Sequence, residues 1–187
     1  MRRATVVGET TGGGAHPIHA YRVEGYDVTV ALPYGRAINP ISETNWEGTG
    51  VAPDIATPAA VAFDTAYVKA LAAVEAKAKD EEVKRSIAWI REGIAAKLQP
   101  VPMAESALRS YTGTYGPRVI RLEGAALTYQ RQDRPKFTLV PMAQDLFVAP
   151  DLNYFRIRFE RGPGGEVVRL VGIYDDGRTE ANERTGP

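Results

Sequence analysis

The stretch "YFRIRFERGPGGEVVRLVGIYDDGR", residues 154–178, decides the fold of the C-terminal part of the chain. Its apolar residues Phe155, Ile157 and Phe159 alternate with charged ones. This period of two is typical of a strand that buries one face and leaves the other in water. The pattern therefore predicts a half-buried antiparallel strand with a solvated arginine face, followed by a turn and a further strand.

Other short strands precede this stretch from Tyr111 onward, namely "RVIRLEG", "ALTYQR", "KFTLVPM" and "DLFVAP". Several short strands at this spacing predict a small antiparallel barrel or sandwich. Aromatic residues interleaved with arginines also occur in RNA-binding sheets. Residues 111–187 carry 11 basic and 10 acidic side chains, however, so they lack the positive surface that nucleic acid requires.

Two helices are predicted before this β-rich part. The first begins in "TPAAVAFDTAYVKALAAVEAKAK", with Thr57 as the N-cap and Pro58 in the first turn. Its predicted apolar stripe comprises Phe63, Tyr67, Ala70, Leu71, Val74 and Ala78. Asp80 is the predicted N-cap of the second helix. The apolar stripe of that helix comprises Val83, Ile87, Ile90, Ile94 and Leu98.

Pro100 and Pro102 end the second helix and mark a change in pattern. We therefore predict two domains, residues 1–103 and 104–187. The first contains a β-rich segment up to about residue 56 and the two helices, and the second is the small β-domain. The predicted fold class is α+β: an α/β half-domain with two helices, followed by a small antiparallel β-barrel or sandwich.

The composition excludes several classes of protein. The 23 basic and 23 acidic side chains balance, which disfavours binding to polyanions. The absence of cysteine excludes a disulfide framework, thiolate catalysis and cysteine-ligated zinc. No apolar run reaches the length of a membrane-spanning helix, and Met1-Arg2-Arg3 leads into a strand rather than a signal-peptide core.

A glycine-rich stretch, "VVGETTGGGAHP" at residues 6–17, follows a short apolar run near the start of the chain. Glycines after a strand indicate a turn through positive φ or a close approach to the backbone. A phosphate-binding loop is disfavoured because Ala15 and His16 follow the last glycine, where a Walker loop has Lys and Ser or Thr. The spacing of the dinucleotide-binding motif is also absent.

Other catalytic and metal-binding motifs are weak. His16 and His19 form an H-x-x-H pair without a third ligand, so we predict no metal site and no cofactor. None of the four serines, Ser42, Ser86, Ser106 and Ser110, lies in a known nucleophile motif. Five carboxylates, Glu9, Glu24, Asp27, Glu47 and Asp54, could supply a glycosidase pair, but their spacing selects no two of them.

Taken together, "ATVVGETTGGGAHP" and "NPISETNWEGTGVAPDI" resemble the carboxy-terminal processing, or tail-specific, serine proteases, in the branch of the retinoid-binding-protein-like and tricorn-core domains. The resemblance covers residues 1 to about 56, extended by the two helices. It implies that Gly12, Gly13, Gly14 and His16 belong to the loop that closes over the active site. It also implies that Glu47 is an acidic member of the catalytic constellation.

The resemblance also implies which catalytic groups this sequence lacks. In the family, the nucleophilic serine, the oxyanion-hole amides and the substrate-binding PDZ-like module precede the first motif. In the tricorn-type branch, the catalytic histidine precedes it as well. The branch with a Ser-Lys dyad has its lysine at the position of Gly14, so the chain resembles the tricorn-type arrangement, in which His acts as the base and Glu polarises it. We therefore expect the C-terminal part of a serine peptidase, inactive alone.

The β-domain is similar to the lipocalin-like accessory domains of secreted bacterial hydrolases, and the family resemblance suggests a periplasmic or extracellular location. The expected partner of the complete enzyme is a peptide or protein substrate. A homo-oligomer formed through an exposed sheet edge is also expected, because the strand from Ala4 to Glu9 lacks its upstream neighbours. The alternative is a non-enzymatic module that binds a ligand or a partner protein.

Overall fold

The computed structural model describes residues 3–186. Met1 and Arg2, which were predicted to lead into the first strand, lie outside the described residues. The three helices are α1 Ala59–Glu75, α2 Glu81–Leu98 and α3 Glu105–Ser110. The first four strands are β1 Val7–Gly8, β2 Ile18–Arg22, β3 Thr29–Pro33 and β4 Ile55–Ala56. The remaining eight are β5 Gly113–Tyr115, β6 Arg118–Glu123, β7 Ala126–Arg131, β8 Phe137–Ala143, β9 Leu146–Val148, β10 Phe155–Arg161, β11 Val167–Tyr174 and β12 Thr179–Gly186.

Strands β5 to β12 form a closed antiparallel barrel. Each strand pairs with its neighbours along the chain, and β12 pairs with β5 to close the ring. Closure in this order leaves no free sheet edge. The predicted α+β class with two main helices is confirmed, and of the two predicted β architectures the structure has the barrel.

The barrel interior is filled by large side chains. The core includes Tyr115, Phe147, Ile157 and Leu170, each with no exposed surface. Phe147 and Phe159 lie edge to face with their ring centroids 5.6 Å apart. The alternation in residues 155–159 thus points its apolar side chains into the core, as predicted.

The predicted solvated arginine face is wrong at Arg156, which is only 7 % exposed. Its guanidinium lies 3.9 Å from the ring centre of Trp89 and donates to Glu92 Oε2 at 2.9 Å. Helix α2 therefore covers part of the outer surface of β10. Arg158, two residues along on the same strand, is exposed as predicted.

The helices begin and end close to their predicted limits. Asp80 Oδ1 accepts the backbone N–H groups of Glu82 and Val83, which confirms the predicted N-cap of α2. Helix α2 ends at Leu98, before the two prolines. The predicted apolar stripe of α1 is wrong as a buried face, because Leu71 is buried while Phe63 is 74 % exposed.

The described residues cluster into two compact units, one up to Phe63 and one from Asp64 onward. The first unit contains the β2–β3 hairpin, with Ile18 paired with Pro33 and Arg22 with Thr29. It also contains the parallel pair β1–β4. The compact units divide after Phe63 and not at the predicted domain boundary at residue 103. That boundary concerns separate folding and stays a prediction.

Candidate functional site

The two sequence motifs of the first unit meet in space. Gly48 donates its backbone N–H to Gly13 O at 2.9 Å. Thr11 donates to Val51 O at 3.1 Å, and Val51 in turn donates to Thr11 Oγ1 at 2.9 Å. The loop at residues 10–16, called here the glycine loop, and the turn at residues 45–51, called here the acidic turn, are thus joined by hydrogen bonds about 40 residues apart in sequence.

Two glycines permit this close approach. Gly13 has φ +77°, and a Cβ there would lie 2.7 Å from the backbone nitrogen of Gly50. Gly50 has φ +71°, and a Cβ there would lie 1.9 Å from Thr11 O, so no other residue fits without moving the backbone. The predicted need for close approach is thus met at Gly13, whereas a Cβ at Gly12 or Gly14 would meet no atom within 4 Å.

Glu47 is held against the glycine loop by two backbone donors. Its Oε2 accepts the N–H of Ala15 at 2.7 Å and that of His16 at 3.0 Å. These two bonds, chiefly that from Ala15, lower the pKa of Glu47 below its ordinary value, because they stabilise the carboxylate form. The side chain still exposes 43 % of its surface. Glu47 is therefore an oriented, ionised and accessible carboxylate.

The imidazole of His16 lies next to this carboxylate. His16 Nδ1 is 3.7 Å from Glu47 Oε2, and its Nε2 is 3.4 Å from Asn45 Nδ2. Asn45 is itself fixed, since its Nδ2 donates to Ala37 O at 2.8 Å. An amide donor facing Nε2 favours the tautomer with the proton on Nδ1, which faces Glu47. The arrangement can stabilise positive charge on an imidazole or on a cationic partner.

Other carboxylates of this unit have structural contacts that the sequence did not indicate. Glu9 Oε1 accepts the N–H of Ala59 at the start of α1 at 3.0 Å, so Glu9 caps that helix. Asp54 Oδ2 accepts the N–H of Val6 at 2.8 Å and ties β1 to the segment before β4. Asp27 lies 3.6 Å from Arg22 at the end of the hairpin. Among these residues, Glu47 alone approaches a histidine ring.

Among the described residues, Ser42, Ser110 and His19 have partners other than Glu47 and His16. Ser42 Oγ lies 2.9 Å from Thr44 Oγ1, and Ser110 Oγ donates to Ala107 O. The ring of His19 packs on Tyr34, with a centroid distance of 4.1 Å. Within residues 3–186, no group of three or more His, Asp or Glu side chains is placed to hold a metal ion.

No protein-family model matches the sequence, and no solved structure matches the fold significantly. In the part of the chain that the structure describes, no helix is both long enough and apolar enough to span a membrane.

Proposed function

We propose that residues 3–63 form part of the catalytic site of a serine endopeptidase of the tail-specific type, with Glu47 as its acidic member. The observation that carries this proposal is the contact between the glycine loop and the acidic turn. Each motif alone has an ordinary explanation as a turn. Their meeting, with an ionised carboxylate held by the glycine loop, is what a peptidase site of this type would require.

The chemistry assigned to Glu47 is electrostatic. In acyl transfer by a serine, the base takes the proton from the hydroxyl group and becomes positively charged. A carboxylate with a lowered pKa stays ionised at neutral pH and stabilises that charge. Because Ala15 and His16 hold the Glu47 carboxylate in place, little reorganisation is needed when the charge forms.

The nucleophile comes from another segment in this proposal. The family resemblance locates the serine on a helix that precedes the first motif, and no hydrogen bond among the described residues joins a serine to His16 or Glu47. The described residues would therefore supply the acidic turn and the loop over the peptide. His16 is assigned to the loop that lines the cleft.

The exposed apolar surface of the first unit supports a place within a larger catalytic domain. Every residue of β2 and β3 is exposed, including Tyr21, Val30 and Leu32. In the register of the hairpin, Tyr21 pairs with Val30 and His19 with Leu32, so these apolar side chains share one face. The remainder of a peptidase domain would cover that face.

The test uses a chain in which these residues are joined to the serine-bearing segment. Glu47→Gln should lower kcat for peptide hydrolysis by at least ~10²-fold, the range for losing a positioned electrostatic partner. The melting temperature should change little, since the glutamine oxygen can still accept both N–H groups. Glu24→Gln, at the hairpin turn, is the matched control and should keep full activity.

A second measurement concerns the 187-residue chain alone. It should not react with a fluorophosphonate probe, because an activated serine needs a base within hydrogen-bonding distance. Labelling of any of its four serines would contradict the proposed division of the site. Full activity of Glu47→Gln with a collapsed melting temperature would assign Glu47 to structure instead.

A further inference from the structure

A cavity of about 520 Å³ lies at one end of the barrel, where the β7–β8, β9–β10 and β11–β12 connections converge. Its volume is within the range of small-molecule sites. The cavity does not extend into the barrel, because Tyr115, Phe147 and Ile157 have no exposed surface and fill the interior. A ligand here would therefore bind at the mouth of the barrel, called here the arginine mouth.

The floor of the arginine mouth is aromatic. Phe155 is buried and lies between Tyr129 and Tyr174, with ring centroids 5.4 and 5.2 Å away. Tyr129 is also buried, whereas Tyr154 at the rim is about half exposed. Contacts between neighbouring rings hold this floor in a fixed shape, so it offers a preformed surface for a flat, apolar ligand.

Three arginines, Arg131, Arg134 and Arg178, line the same cavity, and none of the described carboxylates lines it. Arg131 lies 3.7 Å from Glu180, and Arg178 lies 3.6 Å from Asp176, so neither distance is a hydrogen bond. Within residues 3–186, Arg134 has no carboxylate within ion-pair distance. All three guanidinium groups therefore keep free donors at the cavity.

Other arginines of the barrel are paired more closely. Arg169 donates to Glu183 Oε1 at 2.6 Å, and Arg161 Nη2 lies 2.8 Å from Asp145. Arg158 is paired as weakly, at 3.6 Å from Glu160, so the distinguishing feature of the arginine mouth is that three such arginines line one cavity. This clustering is not an effect of overall charge, since residues 111–187 carry nearly equal numbers of basic and acidic side chains.

Glu180, the nearest acid to Arg131, is already engaged. Its two carboxylate oxygens accept from Arg118 at 2.7 and 3.1 Å, and one lies 3.2 Å from the hydroxyl of Tyr174. Arg118 has no exposed surface, so its charge requires this carboxylate. Glu180 therefore neutralises a buried cation beneath the floor, and it compensates Arg131 only in part, from 3.7 Å.

We propose that the arginine mouth is a binding site for a small aromatic organic anion, such as an aryl carboxylate, sulfonate or phosphate. The ring of the ligand packs against the aromatic residues that line the cavity, and its anionic group accepts hydrogen bonds from Arg131 and Arg134. Planar guanidinium groups suit such oxyanions because they present paired donors. The Arg178 guanidinium lies over the Tyr174 ring, 4.3 Å from its centre, so one cation already stacks on the aromatic surface of the cavity.

The test uses the full chain and two fluorescent probes that differ in charge. Anilinonaphthalene sulfonate has aromatic rings and one anionic group, and phenylnaphthylamine is its neutral counterpart. The sulfonate should bind at a single site with enhanced emission, and more tightly than the neutral probe. Raising the salt concentration should weaken the binding of the sulfonate and leave the binding of the neutral probe unchanged.

The decisive variant is Arg131→Gln/Arg134→Gln, and its matched control is Arg121→Gln/Arg158→Gln. Arg121 and Arg158 are exposed on the barrel and make no side-chain hydrogen bond among the described residues, but they do not line the cavity. Both variants remove two positive charges. The first should weaken sulfonate binding at least about tenfold, as expected for lost charge-assisted hydrogen bonds, and the control less than about twofold.

Three results would overturn the proposal: no saturable binding of the sulfonate, equal weakening in both variants, or equal affinity for the neutral probe. Equal weakening would mean that overall charge attracts the anion.

The controls separate loss of binding from loss of folding. A melting temperature and a near-ultraviolet circular dichroism spectrum for each variant verify that the barrel stays folded. Arg134→Lys, which keeps the charge, should lose less affinity than Arg134→Gln. The proposal does not depend on peptidase activity, so Glu47→Gln should leave sulfonate binding unchanged.

Discussion

The barrel and the first unit hold their shapes in different ways. The barrel closes on itself and buries a continuous core that includes Tyr111, Phe147 and Phe159. In residues 3–63, only Gly8, Gly13 and Ala15 are buried, and the contacts are hydrogen bonds between loops. Apolar burial is the dominant favourable contribution to folding, so we expect the barrel to be stable by itself and the first unit not to be. Most side chains of the first unit are therefore exposed to solvent rather than buried in a core.

The largest expected difference is between fragments. Residues 104–187 expressed alone should unfold cooperatively and show a β-type circular dichroism spectrum, because they contain nearly the whole barrel core. Residues 1–63 expressed alone should melt without a cooperative transition. A disordered product from residues 104–187 would mean that the barrel needs the helices before it.

The second contrast is between single side chains in the two regions. Phe147→Ala in the barrel should lower the free energy of unfolding by ~3–5 kcal/mol, the usual cost of removing a buried aromatic ring. Tyr21→Ala on the exposed hairpin should change it by less than ~0.5 kcal/mol. Denaturant unfolding followed by near-ultraviolet circular dichroism measures both. A loss of similar size at Tyr21 would show that the hairpin is buried in solution.

The third contrast concerns association. Within the described residues, β1 pairs only with β4, and Val6 beside it is 46 % exposed. If the chain dimerises through this sheet edge, Val6→Lys should raise the dimer dissociation constant about tenfold, whereas Tyr154→Lys on the barrel should not. Size exclusion with light scattering measures both. A protein that stays monomeric at high concentration, with or without either substitution, would contradict the predicted homo-oligomer.

The smallest effect is a pH dependence of the barrel alone. Arg118 donates to Glu180 and lowers the pKa of that carboxyl below its ordinary value near 4.5. Because the folded-state pKa is lowered, the stabilisation is present above about pH 4.5 and is lost as the pH falls through the folded-state pKa. Glu180 is 40 % exposed, so solvent screening limits the effect to about 1 kcal/mol.

Thermal melts of the wild type and Glu180→Gln between acidic and neutral pH measure this contribution. The variant should be less stable near neutral pH, and the difference should shrink as the solution becomes acidic. A constant difference across the range would assign the effect of the substitution to packing around the buried Arg118.

Local patterns in the sequence predicted much of the fold. Alternation in residues 155–159 identified a strand with an apolar inner face, and Asp80 was correctly assigned as a helix cap. Both signals depend on neighbours within a few residues, where backbone geometry is fixed by the element itself. Helix α3 and strand β12 were missed, because a helix of six residues shows less than two turns of periodicity and β12 is a polar strand.

Contacts between distant segments could not be predicted in the same way. The strand period placed Arg156 on an outer face but did not reveal that Trp89 and Glu92 of helix α2 cover it. The arginine mouth was also missed, since its three arginines lie in connections that only barrel closure brings together. For the candidate site, the sequence singled out Glu47 and the glycine loop separately, and their catalytic roles stay predictions.

By itself, the sequence determined the class of the fold, the order of its two main helices and most of its strands, and the two stretches that contain the glycine loop and the acidic turn. These are properties of residue type and spacing, which act within one strand, turn or helix. The tertiary structure alone decided that Glu47 accepts two N–H groups from the glycine loop, that the barrel closes, and that three arginines share one cavity. Such contacts depend on how chain segments far apart in sequence pack together, and periodicity carries no information about that packing.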